Sequence, residues 1–231
     1  MTKEERERLN GRMRQAARAG DLPEMKRLVA AGARVDSVGD GMTALQWSAK
    51  EGHLPVVKCL VEKGAQVDLK TKSHSAPLHH AIWRGDIDMV KFFLGKGARV
   101  DIRENDGEQP LHTAAYGGAY WVATALCLIV QGGELEAVDC RGRRPLHVAA
   151  RMGQKNMAGF LLGAGANPYA ADNNGETPMD LAKEHPEALA VFAEWEEHCG
   201  EKWRRETQAG DVNAHWARVK KHLPSGQRPS L

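Results

Sequence analysis

Histidines supply the first candidates for chemistry. His79, His112 and His147 recur 33 and 35 residues apart, and His74, His79 and His80 crowd together. Imidazoles ligate metals and act as general acids and bases. A zinc site needs several ligands converging on one ion, however, and the His74 group has no cysteine or carboxylate at ligand spacing, so no metal is expected. Catalysis needs a nucleophile, a base and an orienting group in one pocket. No Gly-x-Ser-x-Gly, His-Glu-x-x-His, Walker or dinucleotide-binding glycine pattern occurs, so neither an enzymatic activity nor a cofactor is expected. The tripeptide Arg84-Gly85-Asp86 matches an integrin-recognition signal, but its glycine is one of a repeating series of turn glycines and the chain shows no secretory signal.

The composition points the same way. Lys and Arg total 32 against 30 Asp and Glu, a balance that gives no global case for nucleic acid or an anionic membrane. The four cysteines, Cys59, Cys127, Cys140 and Cys199, lie far apart and form no Cys-x-x-Cys pair, which suits a reducing compartment. The longest apolar run, residues 122–130, is too short to cross a bilayer. A cytoplasmic or nuclear location is expected.

The elements that must position any site come from a repeat. Met42-Thr-Ala-Leu-Gln-Trp-Ser-Ala49, Ala76-Pro-Leu-His-His-Ala81, Gln109-Pro-Leu-His-Thr-Ala114, Arg144-Pro-Leu-His-Val-Ala149 and Thr177-Pro-Met-Asp-Leu-Ala182 share one pattern. Their central residues, Leu45, Leu78, Leu111, Leu146 and Met179, are 33, 33, 35 and 33 apart. Seven residues after the first four of these stand Gly52, Gly85, Gly118 and Gly153, each followed by an apolar helical stretch, which marks a turn between two helices. Gly32-Ala-Arg-Val-Asp36, Gly64-Ala-Gln-Val-Asp68, Gly97-Ala-Arg-Val-Asp101 and Gly165-Ala166 then close successive units. Proline suits the first helical turn, a preceding threonine caps it, and alanine lets neighbouring helices approach. Such units bury apolar surface only against one another.

From about Arg12 to about Cys199 these residues resemble the ankyrin-repeat family, whose signature is Thr-Pro-Leu-His-x-Ala at a 33-residue period. The resemblance implies an all-α fold: an ankyrin-repeat solenoid of helix-turn-helix units joined by short β-hairpin loops, about six to seven units including caps. The chain then divides into an N-terminal extension (1–10), the repeat domain (11–199), C-terminal capping helices or a degenerate repeat (200–223), and a disordered tail (224–231).

Two stretches depart from the template. Gly118 to Gly133 spans 15 residues where the other glycine pairs span 12, which reads as about one extra helical turn, with Tyr120 and Trp121 near its start and Leu135 close to the alanine position. In the fifth unit Pro186 stands at the turn glycine, and a helix is expected from Glu187 to about Cys199. Trp47 is expected in the core, and Trp195, Trp203 and Trp216 in the C-terminal cap.

The resemblance also implies a function, since ankyrin proteins bind other proteins mainly through the hairpin tips and the inner helices. Five residues past the motif leucine the chain has Lys50, Trp83, Tyr116 and Arg151, and six past it Arg84 and Met152. The hairpin tips add Arg141 and Arg143. Trp, Tyr and Arg are the side chains most often found as interface hot spots. The expected site is therefore the strip Trp83, Arg84, Tyr116, Arg143, Arg151 and Met152, with Lys50, Arg141 and the Tyr120–Trp121 pair beside it. The expected function is a non-enzymatic binding module, an adaptor, inhibitor or regulatory subunit, whose partner is a protein with apolar anchors and acidic groups. A monomer is expected. The alternative is attachment to nucleic acid or an anionic membrane through the basic C-terminal segment, where Lys202, Arg204, Arg205, Arg218, Lys220, Lys221 and Arg228 face only Glu201, Glu206 and Asp211.

Overall fold

A computed structural model describes residues 2–71, 75–118 and 121–207. The chain falls into two compact units, Met1–Asn105 and Asp106–Leu231. All regular structure among the described residues is helical, with no strand. Expectations for Trp216, for the basic residues beyond 207 and for the tail at 224–231 lie outside the described residues.

The first unit holds α1 (Lys3–Ala19), α2 (Leu22–Ala30), α3 (Ala44–Glu51), α4 (Leu54–Glu62), α5 (Pro77–Arg84) and α6 (Ile87–Gly95). Inner helices α1, α3 and α5 pack in a row, and each packs its own outer helix, α2, α4 or α6. The motif leucines Leu45 and Leu78 and the motif alanines Ala49 and Ala81 are fully buried between these rows. Residues 3–10 continue α1 instead of forming a separate extension. Thr2 and Glu5 cap that helix reciprocally, and buried Asn10 accepts the Arg34 N–H at 2.8 Å.

The second unit repeats this with inner helices α7 (Pro110–Ala115), α9 (Pro145–Arg151) and α11 (Pro178–Ala182) and outer helices α8 (Val122–Val130), α10 (Lys155–Gly163) and α12 (Pro186–Trp195). Pro186 opens α12 in its first turn, as a helix-starting proline should, and is not a turn residue. Beyond Trp195 the backbone widens into a π-helical turn, Glu196–Gly200, and resumes as α13 (Glu201–Thr207), so the helical path does not stop at Cys199. Tyr169, Trp195 and Trp203 meet edge-on or tilted at centroid distances of 5.5–6.4 Å and hold this extension.

Within each unit, two hydrogen-bond series tie successive helix pairs together. At the base, the acidic residue closing one unit accepts a backbone N–H of the following unit: Gln66 to Asp36 at 3.0 Å, Arg99 to Asp68 at 3.1 Å, and Asn167 to Glu136 at 2.8 Å. At the ends of the inner helices a side chain crosses to the carbonyl of the preceding unit: His53 to Arg18 at 3.0 Å, Arg84 to Lys50 at 3.3 Å, Gln154 to Tyr116 at 3.1 Å, and His185 to Arg151 at 2.8 Å. These crossings explain the turn glycines. Gly52 (φ 85°) and Gly153 (φ 66°) need the left-handed conformation, and a Cβ there would also lie 2.2 Å from Arg84 Nε and 2.8 Å from the His185 ring.

The same register corrects the reading of the stretched unit. The closing N–H bonds Gly64 to Val61 and Ala65 to Leu60 recur as Gly132 to Ile129 and Gly133 to Leu128. Gly132 (φ 96°) is therefore the closing glycine, Gly133 takes the alanine position, and Leu135 takes the valine position. From motif leucine to closing glycine this unit has 21 residues where the others have 19. The two extra residues do not lengthen α8, which has nine residues like α4, α6 and α10. They lie in the connection between α7 and α8.

The recurring histidines are capping groups. In α5, α7 and α9 the ring Nδ1 accepts the N–H three residues earlier, at 3.3, 3.2 and 3.2 Å. His112 also meets the Arg143 carbonyl with Nε2, at 3.0 Å. In α3 Gln46 does the same work, with its carbonyl capping Thr43 at 2.8 Å and its amide reaching the Ser75 carbonyl at 2.7 Å. His79 and His147 are fully buried. Burial, followed by the nearby charges of His80 and Lys70 for His79 and of Arg144 for His147, pushes their pKa values down to about 3 and about 4.

Because the folded state resists protonation of these rings, the unfolded chain takes up protons first. Stability is complete above pH about 6.5 and falls as pH drops toward 4, by about 2 kcal/mol per ring at pH 5. Glutamine keeps the cap and does not titrate. We expect His79→Gln combined with His147→Gln to match the parent at pH 7 and to flatten the acid loss, read as the urea midpoint between pH 7 and 4.5. An unchanged pH slope contradicts the assignment.

Candidate partner-binding surface

The residues singled out in the sequence divide between the two units. In the first, Lys50 ends α3, and Trp83 and Arg84 end α5. Trp83 is 47% exposed. Arg84 is also exposed, but it is the crossing side chain that lies over Gly52 and donates to the Lys50 carbonyl, so it ties two helix pairs together. Trp47 is half-buried and not core: the Arg18 guanidinium lies 4.5 Å and the Lys50 ammonium 5.3 Å from its ring centroid.

In the second unit Tyr116, Arg141, Arg143, Val148, Arg151 and Met152 line one cleft of about 230 Å³. Five of these six stand on the expected strip or beside it. Val148 is the addition, one helical turn before Met152 and nearly closed to solvent. Met152 is 45% exposed, and Arg141 and Arg151 are exposed. Their guanidinium groups make no ion pair or hydrogen bond with the described residues.

Arg143 is different. It is 6% exposed and belongs to the floor. Its Nε donates to Asp139 at 2.7 Å, and one terminal nitrogen lies 3.0 Å from Glu108 and 2.6 Å from Asp139. Asp139 also accepts the backbone N–H groups of Arg141 and Arg143, both at 2.8 Å, and so shapes the hairpin tip. Tyr116 is half-buried, and its hydroxyl donates to Glu108 at 2.6 Å. The sequence reading offered both as contact residues, whereas the fold uses their polar groups internally.

The electrostatics follow from this burial. Burial raises the Glu108 pKa above the ordinary glutamate range, against the lowering effect of the Tyr116 hydroxyl. Burial also acts to raise Asp139, but the N–H groups and guanidinium of Arg143 outweigh it and hold that carboxyl low. The Tyr116 phenol is pushed up to about 12 by burial and by Glu108, so it remains a donor at any physiological pH. The arrangement holds a rigid, hydrogen-bonded floor beneath two exposed cations and an apolar wall, which is binding chemistry.

Trp121 is half-buried and packs on its own turn: a Cβ on Gly117 would lie 1.9 Å from its ring. Tyr120 lies outside the described residues. Sequence reasoning offers Glu108 only as a hairpin-tip residue and misses Asp139, and the one signal for their pairing with Arg143 is an acidic residue near the tip of each of two successive hairpins.

A family model described as ankyrin repeats (3 copies) matches residues 13–104 and 111–202. Among curated proteins the chain is 33% identical over 97 residues to human ankyrin repeat and IBR domain-containing protein 1, covering 41% of this chain and 8% of that protein. It is 42% identical over 66 residues to the Drosophila melanogaster neurogenic locus Notch protein, covering 28% and 2%. It is 44% identical over 52 residues to potassium channel KOR1 of Oryza sativa subsp. japonica, covering 22% and 6%. The chain thus spans less than a tenth of each of these relatives.

Removing Arg143 leaves two buried carboxylates without their counter-charge. Arg143→Ala is expected to destabilise the fold by about 3–5 kcal/mol, while exposed Arg151→Ala stays within about 0.5 kcal/mol of the parent. Urea midpoints of the two variants check this, and equal midpoints would return Arg143 to the surface.

Proposed function

The chain belongs to the ankyrin-repeat family, and on that premise we propose that it is a non-enzymatic module that docks another protein on its inner helices and hairpin tips. Ankyrin repeats are in general protein–protein interaction modules. The reading rests on one observation: each unit exposes one large apolar side chain at the end of an inner helix, Trp83 in the first and Met152 in the second. Neither position is required by the repeat, since the neighbouring capping and crossing residues do the structural work. An apolar side chain held exposed on a rigid helix end is a ready anchor, because little of the receptor must be ordered on binding.

The cations around these anchors, Lys50 in the first unit and Arg141 and Arg151 in the second, favour a partner with acidic groups beside apolar ones. The four cysteines form no disulfide, which supports action in a reducing compartment, cytoplasmic or nuclear.

The test is affinity purification from native lysate with the full chain and with Trp83→Ala combined with Met152→Ala. Loss of anchors worth about 2 kcal/mol each lowers affinity at least about 30-fold, so the partner is lost while the circular dichroism spectrum is kept. Recovery of the same partner at the same yield by the well-folded variant sinks the proposal.

A further inference from the structure

The cleft in the second unit carries a more specific reading, which rests on the protein-binding function proposed above. We propose that it is a seat for a single carboxylate: the side chain of an aspartate or glutamate in a linear segment of the partner, with an apolar neighbour packed on Met152 and Val148.

Size comes first. About 230 Å³ falls below the 300–1,000 Å³ of small-molecule and cofactor pockets and accommodates one or two side chains. Charge comes second. Three arginines line the cleft, but the Arg143 guanidinium is engaged by Asp139 and Glu108, which leaves Arg141 and Arg151. Both are exposed, and neither has a carboxylate partner among the described residues. A guanidinium presents a planar set of donors suited to an oxyanion.

The floor then selects between oxyanions. Glu108 and Asp139 do not line the cleft but stand behind Arg143, two carboxyl groups against one cation, so a doubly charged phosphoryl group meets their negative field as well as the two arginines. A single carboxylate takes the two arginines with less repulsion from below. The apolar side of the cleft explains why the anion belongs to a peptide and not to free solute: Met152, 45% exposed, needs an apolar side chain to cover it.

The longer connection after α7 borders the cleft through Tyr116. Tyr116 ends α7 at the start of the lengthened turn, and Gln154, reaching its carbonyl at 3.1 Å, holds the turn against the next helix pair.

A phage-displayed library of random dodecapeptides, panned on the full chain, tests the assignment. Recovered sequences are expected to share an Asp or Glu adjacent to Met, Leu, Ile or Phe. Their synthetic peptides should lose about 10-fold in affinity when Arg141→Ala and Arg151→Ala are combined, with the fold intact by circular dichroism, and should weaken as salt rises. Replacing the acidic residue by phosphoserine should give no tighter binding. Neutral or basic sequences, none at all, affinity unchanged in the double variant, or a tighter phosphoserine peptide each overturns the carboxylate seat. Partner capture from lysate is read separately, so loss of this assignment leaves the binding function standing or falling on its own test.

Discussion

A pair of short helices cannot bury its apolar face alone, and everything else in this protein answers to that constraint. α3 and α5 have eight residues each and α7 has six, lengths at which an isolated helix is marginal in water. Within each compact unit, successive inner helices pack on one another, and backbone groups at the repeat ends take hydrogen bonds from the neighbouring repeat. The acidic residues at the base and the crossing side chains at the inner-helix ends make that dependence directional. A repeat so built is rigid where neighbours meet and free only at its rim.

That division separates structural from functional residues better than residue type does. His79, His112 and His147 look like chemistry and serve as caps. Arg84 looks like an interface hot spot and spans two helix pairs. Arg143 looks like a hairpin-tip contact and neutralises two buried carboxyls. Trp83, Arg141, Arg151 and Met152 remain, and all four are exposed.

The stretched unit shows how a repeat acquires a private feature without losing its register. Its two additional residues fall between α7 and α8, where they lengthen neither helix. Outer helix α8 keeps its nine residues and the closing bonds of Gly132 and Gly133 return the chain to phase. Tyr116, at the beginning of that connection, is drawn into contact with Glu108 and lies over the cleft floor.

By itself the sequence determined the repeat: the motif leucines and alanines, the capping residues and the glycines at inter-helix turns all follow from a period of about 33 and from what each position demands of a side chain. The exposure of Trp83 and Met152 was legible too, because both stand at positions the repeat does not use for packing. Only the tertiary structure decided the pairing of Arg143 with Glu108 and Asp139, the work of Arg84, and whether Gly132 or Gly133 closes the stretched repeat. Glu108 and Arg143 stand 35 residues apart, and an arginine at a hairpin tip reads the same in sequence whether its counter-charge is solvent or a buried carboxylate on the preceding hairpin. Two adjacent glycines likewise look alike until one of them must adopt a left-handed φ, which the path of the chain assigns to Gly132.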